Sequence, residues 1–401
     1  MPPLRLLTFT TLFPNREQPN HGVFVENRLR HLVATGAAVS TVLAPVPFFP
    51  RVPFFPSGAA AFGRWGAYAR VPARESRHGL TIHHPRFPVL PRFGMNFSPF
   101  LLHQASRRAL RGLLADGARF DAIDAHYLYP DGVAAVRLGA EFALPVVLTA
   151  RGSDVTQFPD HPTPRRLIMD AVARAAAVIT VSAGLRAALL RLGAAGEKIT
   201  VLRNGVNTQI FRPLDQQAAR AALGLAGPTL ISVGALIERK RHHLTIEALR
   251  LLPEFSLLIV GEGPERARLA ALAERLGLAG RVRLPGAVAH GIMAQYYSAA
   301  DLSVLASSRE GWANVLLESM ACGVPVVASD IPGNPEVVRE RAAGLIVAAN
   351  TPAGIAAAVR DLLADPPARA MTRAYAERFG WEATSRGQLE IFRRVLYSDQ
   401  S

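Results

Sequence analysis

Twice along this chain, short apolar runs alternate with segments whose apolar residues recur at helical spacing. Runs of this length suit strands buried on both faces, and the helical segments between them suit crossovers from one parallel strand to the next. In the first half the predicted strands are Leu4–Thr10, Val39–Ala44, Ala122–His126, Val146–Thr149, Ala177–Val181 and Ile199–Leu202. In the second half they are Leu230–Val233, Leu257–Val260, Val282–Leu284, Leu302–Leu305, Val326–Ala328 and Leu345–Val347. Val25, Leu29, Leu32 and Val33 mark a helix between the first two, with Gly36 as its stop. The expectation is an α/β protein of two doubly wound domains facing across a cleft. Asn204 to Pro228, rich in Gly and Pro, is the expected junction. The boundaries drawn are 1–206, 207–378, and 379–401 as a terminal helix packing back on the first domain. Ligands of such sheets bind at the carboxyl ends of the strands.

At 401 residues, half of them apolar, the chain can bury two cores. A single cysteine, Cys322, excludes an internal disulfide and suits a reducing compartment, with a small core residue as its simplest role. Met1 to Leu12 lacks the charged start and cleavage site of a signal peptide and reads as a first strand. No apolar run reaches membrane-spanning length. The net charge is +14, and Lys occurs only at Lys198 and Lys240, so a retained Lys is notable. Residues 1–120 carry 15 Arg against 4 acidic residues, which suits an anionic partner or simply a solvated surface. Residues 45–97, rich in Pro, Phe and Arg, break the alternation. They hold the repeat Val46-Pro47-Phe48-Phe49-Pro50 and Val52-Pro53-Phe54-Phe55-Pro56. This insertion is either a membrane-contacting loop, with Phe and Trp65 among lipids, or a loop packed on its own domain.

Several chemistries are absent. There is no phosphate loop ending in Gly-Lys-Ser/Thr, no Asp-x-Asp pair, no His-Glu-x-x-His and no Gly-x-Ser-x-Gly elbow. Gly261-Glu262-Gly263 starts like a dinucleotide fingerprint but has Arg266 at the third glycine position. What remains are binders of phosphate and hydroxyl groups. Glu310 and Glu318 stand eight residues apart across a loop-to-helix junction, where backbone N–H groups lack partners in their own helix. Glu254/Glu262 and Glu382/Glu390 share that spacing, so context alone separates the first pair. Glu238-Arg239-Lys240-Arg241 follows a predicted strand, where cations can neutralise a leaving diphosphate.

These segments resemble the family 4 glycosyltransferases of the GT-B fold, two Rossmann-like domains, over nearly the full chain. The resemblance rests on the Glu310 to Glu318 segment, Val201-Leu202-Arg203-Asn204-Gly205-Val206-Asn207, Phe211-Arg212-Pro213, Val260-Gly261-Glu262-Gly263-Pro264-Glu265-Arg266 and Ala299-Ala300-Asp301-Leu302. The form Glu310-Gly311-Trp312-Ala313-Asn314 is most similar to the teichuronic acid and exopolysaccharide branch. The resemblance implies that Glu318 holds the ribose hydroxyls of a nucleotide and Glu310 faces the transferred sugar. The amides of Trp312, Ala313, Asn314 and Val315 would bind sugar hydroxyls and diphosphate. Lys240, helped by Arg239, would hold the phosphates, although Ala235 stands where many members carry Arg. His126 matches a residue near the donor sugar that bonds it or shares in proton movement. Gly22 matches the glycine beside the diphosphate. Asn20, His21, Arg151 and Asp154 fall in loops toward the acceptor, and His is common where Arg151 stands.

The implied activity is a retaining, metal-independent transfer of a hexose-type sugar from a nucleoside-diphosphate sugar to a hydroxyl. The setting would be cell-surface polysaccharide or glycolipid synthesis. No cofactor or metal is expected. Expected partners are the nucleotide sugar, a saccharide or lipid-linked acceptor and an anionic membrane surface, without nucleic acid. The expected location is cytoplasmic, including the inner membrane face. The rivals are a sugar-nucleotide epimerase, a phosphorylase, and a non-catalytic membrane-associated binder on the same fold.

Overall fold

A computed structural model describes residues 2–48, 67–89 and 94–397. The chain forms two compact units. Unit 1 comprises 1–203 with 382–401, and unit 2 comprises 204–381.

Unit 1 holds β1 (Leu4–Phe9), β2 (Ala38–Leu43), β3 (Val46–Phe48), β4 (Arg74–Arg77), β5 (Leu80–His83), β6 (Arg86–Pro88), β7 (Ala122–His126), β8 (Val146–Ala150), β9 (Ala177–Thr180) and β10 (Ile199–Val201). Eight of them form one sheet in the order β10-β9-β8-β7-β1-β2-β5-β4, parallel except for β4 on β5. β3 and β6 make a separate parallel pair.

Unit 2 holds β11 (Thr229–Val233), β12 (Ser256–Val260), β13 (Val282–Gly286), β14 (Leu302–Leu305), β15 (Val326–Ser329) and β16 (Gly344–Val347). All pair in parallel, in the order β13-β12-β11-β14-β15-β16. The order reverses between β11 and β14, and a doubly wound sheet opens its binding crevice at such a reversal. Unit 1 has the matching reversal between β1 and β7.

All twelve expected strands are present, with ends that differ by a residue or two. The insertion 45–97 is corrected in part, because it is not all loop. It contributes β3 to β6, and β4–β5 is a hairpin whose two turn residues, His78 and Gly79, have φ of 50° and 79°. Positive φ at both turn positions matches the twist of a two-residue hairpin. Pro47 and Pro88 occupy the two-stranded sheet, where a missing donor is tolerated. Phe49, Phe54, Phe55 and Trp65 lie outside the described residues.

The core of unit 2 packs Leu257 and Ile259 of β12, Val304 of β14 and Val327 of β15 against Ile246, Leu269, Ile355 and Val359. Unit 1 packs Leu4 and Leu6 of β1, Val147 of β8 and Ile179 of β9 against Leu389, Ile391 and Phe392. Those three residues belong to the last helix, Trp381–Tyr397. Lys198 has a structural role: its ammonium donates to the carbonyls of Ala173 (2.8 Å) and Ala175 (3.3 Å) at the end of helix Pro162–Arg174. Because Phe392 is fully buried, Phe392→Ala should cost about 3–5 kcal/mol. Urea unfolding followed through unit 1 checks this, and an unchanged midpoint would exclude the helix from that core.

Candidate functional site

The loops after β11 and β14, adjacent at the reversal in unit 2, carry the charged residues that the sequence singles out. Glu310 lies on the β14 loop with only 9% of its side chain exposed. Its Oε1 accepts from Lys240 Nζ at 2.6 Å and from Ser307 Oγ at 2.7 Å. Its Oε2 lies 3.2 Å from Arg239 NH1, which also donates to the Arg309 carbonyl at 2.6 Å. Burial pushes the Glu310 carboxyl's pKa up. The charges of Lys240 and Arg239 and the two hydrogen bonds outweigh that, and hold it below its ordinary value.

Glycines shape this region. Gly234, with φ of 155°, lets the Lys240 side chain lie across it: a Cβ there would stand 3.1 Å from Lys240 Cε. Gly261 and Gly263 of the failed fingerprint press against the same loop, where a Cβ would meet the carbonyls of Gly234 at 1.9 Å and Leu236 at 2.3 Å. Their function here is close backbone contact that braces the basic loop.

Glu318 sits within helix Asn314–Ala321 and keeps part of its surface open. Tyr297, fully buried, donates to its Oε2 at 3.1 Å. Burial dominates over Tyr297 and Lys240, and raises the carboxyl to about 7. The two glutamates therefore differ in ionisation: Glu310 is held as an anion by cations, whereas Glu318 shares a proton with solvent near neutrality.

The segment between them is packed. Trp312 is 6% exposed with its ring centroid 6.4 Å from that of Phe379, and Ala313 is buried. The Asn314 amide donates to the Trp312 carbonyl at 3.1 Å, and its side chain accepts from Asn204 at 3.2 Å. Val315 is half-buried. Sequence reasoning gave no role to Ser307 or Tyr297, which donate to the two carboxylates. Ser307 is held in turn by Ser329, whose hydroxyl donates to its carbonyl at 2.7 Å.

In unit 1 the expected residues collect at the reversal between β1 and β7. Gly22 caps helix Val23–Ala34 in the left-handed region, and a Cβ there would stand 2.2 Å from the Leu12 carbonyl oxygen. The chain's own loop is what approaches it. His21 Nε2 lies 3.0 Å from the Thr11 carbonyl, and Asn20 is exposed.

His126, at the end of β7, is fully buried. Arg151 donates to its Nδ1 at 2.9 Å, and its Nε2 lies 3.4 Å from Asp124 Oδ2. Burial, which outweighs Asp124, and the charge of Arg151 bring His126 down to about 4. The ring is neutral at physiological pH and wholly enclosed. Arg151 is 8% exposed, its guanidinium 5.4 Å above the Phe24 ring. Asp154 is also enclosed: its carboxylate accepts the amides of Leu128 (2.8 Å), Arg151 (3.1 Å) and Gly152 (2.6 Å). That carboxylate shapes the β8 loop. Asp131, missed in the sequence, is buried on the amide and hydroxyl of Thr11 and raised by burial to about 7.

The model for "Glycosyltransferase Family 4" matches residues 22–210, and that for "Glycosyl transferases group 1" matches residues 215–379. D-inositol 3-phosphate glycosyltransferase of Thermobispora bispora is 37% identical over 219 residues, 50% of this chain and 51% of that protein. The chain thus spans about half the length of the curated relatives it matches. Among solved structures, sucrose-phosphate synthase from Thermosynechococcus elongatus has a TM-score of 0.79 at 23% identity, covering 99% of this chain and all of that one. Anabaena HepE, solved with UDP and glucose, has a TM-score of 0.72 at 20% identity, covering 96% and 98%. These likenesses establish the fold.

The Glu318 carboxyl should titrate with a midpoint near 7 in carboxyl carbon NMR. Tyr297→Phe should move it higher, since the lost hydrogen bond favours the anion. A folded-state value above the unfolded one means that the stability this group contributes is present at low pH. It is lost as pH rises from about 4.5 to about 7. A midpoint near the ordinary value would remove this account.

Proposed function

We propose that this chain, which belongs to the family 4 glycosyltransferases, is a retaining, metal-independent hexosyltransferase that uses a nucleoside-diphosphate sugar. The observation that carries the reading is the Glu310–Lys240–Arg239 cluster at the reversal of unit 2, with Glu318 further along the same loop and helix. Lys240 and Arg239 would turn part of their charge from Glu310 to the diphosphate, where it stabilises the leaving group. Glu310 would keep them aimed and meet the hydroxyls of the sugar. Glu318 would accept both ribose hydroxyls, because a carboxylate can take one O–H on each oxygen.

In the reaction the bond from the anomeric carbon to the phosphate oxygen breaks, and a bond to the acceptor oxygen forms on the same face. The acceptor proton passes to the departing phosphate, so no protein nucleophile is needed. The enclosure of His126 changes the role offered for it. Its neutral ring accepts from Arg151 and holds that guanidinium at the β8 loop, so His126 serves transfer through Arg151. Asn20 and His21 are offered as acceptor contacts, and Gly22 as the turn that positions them.

The UDP held by HepE makes UDP-sugars the first donors to screen. Glu318→Ala should weaken UDP binding at least about tenfold by calorimetry, a loss of about 1.4 kcal/mol. Turnover of the best donor should be equal with and without EDTA. Unchanged UDP affinity would sink the ribose assignment, and a loss in EDTA would sink metal independence.

A lipid-linked acceptor in cell-surface polysaccharide or glycolipid synthesis is the setting we favour, with the protein working at the cytoplasmic membrane face. Two features of helix Gly94–Ala115 support it. Phe97 and Phe100 are 56% and 50% exposed, and Arg108 follows on the same side at helical spacing, beside Arg107 and Arg111, which pair with Glu141. No described helix is long and apolar enough to cross a membrane. Flotation with vesicles containing phosphatidylglycerol should fall on replacing Phe97 and Phe100 by Ser. Equal flotation of the folded variant would remove the membrane from this reading.

A further inference from the structure

Helix Trp381–Tyr397 carries Gln388 into the interior of unit 1, where it is 1% exposed. Its Oε1 accepts from Arg28 Nε at 3.1 Å, and its Nε2 donates to Asp124 Oδ2 at 3.1 Å. A guanidinium only donates and a carboxylate only accepts, so the amide has a single orientation. The same logic sets the neighbouring imidazole. Arg151 can only donate to His126 Nδ1, so Nδ1 holds the lone pair and the ring proton resides on Nε2. That atom lies 3.4 Å from the Asp124 oxygen that Gln388 also binds.

The depth of the helix is fixed independently of these contacts. At Gly387 a Cβ would stand 2.7 Å from Leu202 Cδ2, Thr384 donates to the Arg203 carbonyl at 2.7 Å, and Arg28 donates to the Leu202 carbonyl at 3.1 Å. The Gln388 backbone is therefore held beside Asp124 by its own helix, and its side chain is placed there by Arg28 and Asp124.

We propose that Gln388 is a positioning residue for sugar transfer: it fixes the Asp124 carboxylate that keeps His126 in one tautomer, and through His126 the Arg151 guanidinium. This rests on the reading that the His126–Arg151 pair serves the reaction. Without the amide, Asp124 loses a donor in a place that water does not reach. The carboxylate then turns toward Arg28, and His126 is no longer confined to its Nε2–H form.

The test uses the full-length chain labelled with 15N-histidine, the His126 signals being assigned by their loss in His126→Ala. Turnover is read with the nucleotide sugar of highest activity in the donor screen. In Gln388→Leu, the His126 ring nitrogens should shift from the Nε2–H pattern, and kcat should fall about tenfold with donor KM within about twofold. Gln388→Glu keeps the shape of the side chain. Protonated, it donates to Asp124 as the amide did; ionised, it repels Asp124. Its transfer rate relative to the natural protein should therefore fall as pH rises, which a residue that only fills space would not produce. Circular dichroism and melting temperature confirm that both variants are folded.

Unchanged His126 signals in folded Gln388→Leu would overturn the link. Full turnover in Gln388→Leu, where His126→Ala and Arg151→Leu have lost activity, would overturn the positioning role. If His126→Ala and Arg151→Leu keep full turnover while Gln388→Leu still shifts the ring signals, the reading of that pair fails. The role of Gln388 in transfer fails with it, and the link itself stands.

Discussion

A carboxylate taken out of water must be met by charge or by hydrogen-bond donors, and the surroundings of Glu310 follow from that requirement. Lys240 and Arg239 supply the charge and Ser307 a donor. For these to meet, two loops about seventy residues apart in the chain must lie side by side, and the parallel sheet achieves this by setting β11 next to β14. Glycine at 234, 261 and 263 then removes the side chains that would hold the basic loop away. The ion cluster, the strand order and the glycines are parts of one solution.

The alternation of strands and helices was legible because strands buried on both faces announce themselves as apolar runs, as Leu302–Leu305 does. The strands of the 45–97 insertion did not, for a physical reason. β4 is Arg-Glu-Ser-Arg, an edge strand with one neighbour and half-exposed side chains, so hydrophobicity carries no signal for it. The site was legible to a similar degree. Lys240 is a rare type and Glu310 and Glu318 flank a telling loop-to-helix junction, but that Glu310 and Lys240 form a pair depends on strand order. Tyr297 and Ser307 were hidden because no motif marks them and their work is done by a single hydroxyl. For His126, the sequence located the strand end, and burial on every side could be seen only in the fold.

The basic composition also takes on a second meaning. Arg281 donates to the carbonyls of Leu249, Leu252 and Phe255, and Arg369 to those of Ser298 and Ala300. Arg373 reaches those of Thr208, Phe211 and Ala321. A guanidinium has five N–H groups in a fixed fork, so one residue can bind several backbone carbonyls at once. Some of the positive charge is thus internal scaffolding rather than a surface for an anionic partner.

The helix Trp381–Tyr397 sets the order in which the two units can mature on the ribosome. All of 204–381 is translated before Gln388, Leu389, Ile391 and Phe392 are made. Unit 2 needs no residue outside 204–381 to close on itself. Unit 1, although translated first, waits with an unfilled core, and with Asp124 lacking the Gln388 donor, for a time on the order of tens of seconds. The half of the protein that begins the chain is the last to be finished.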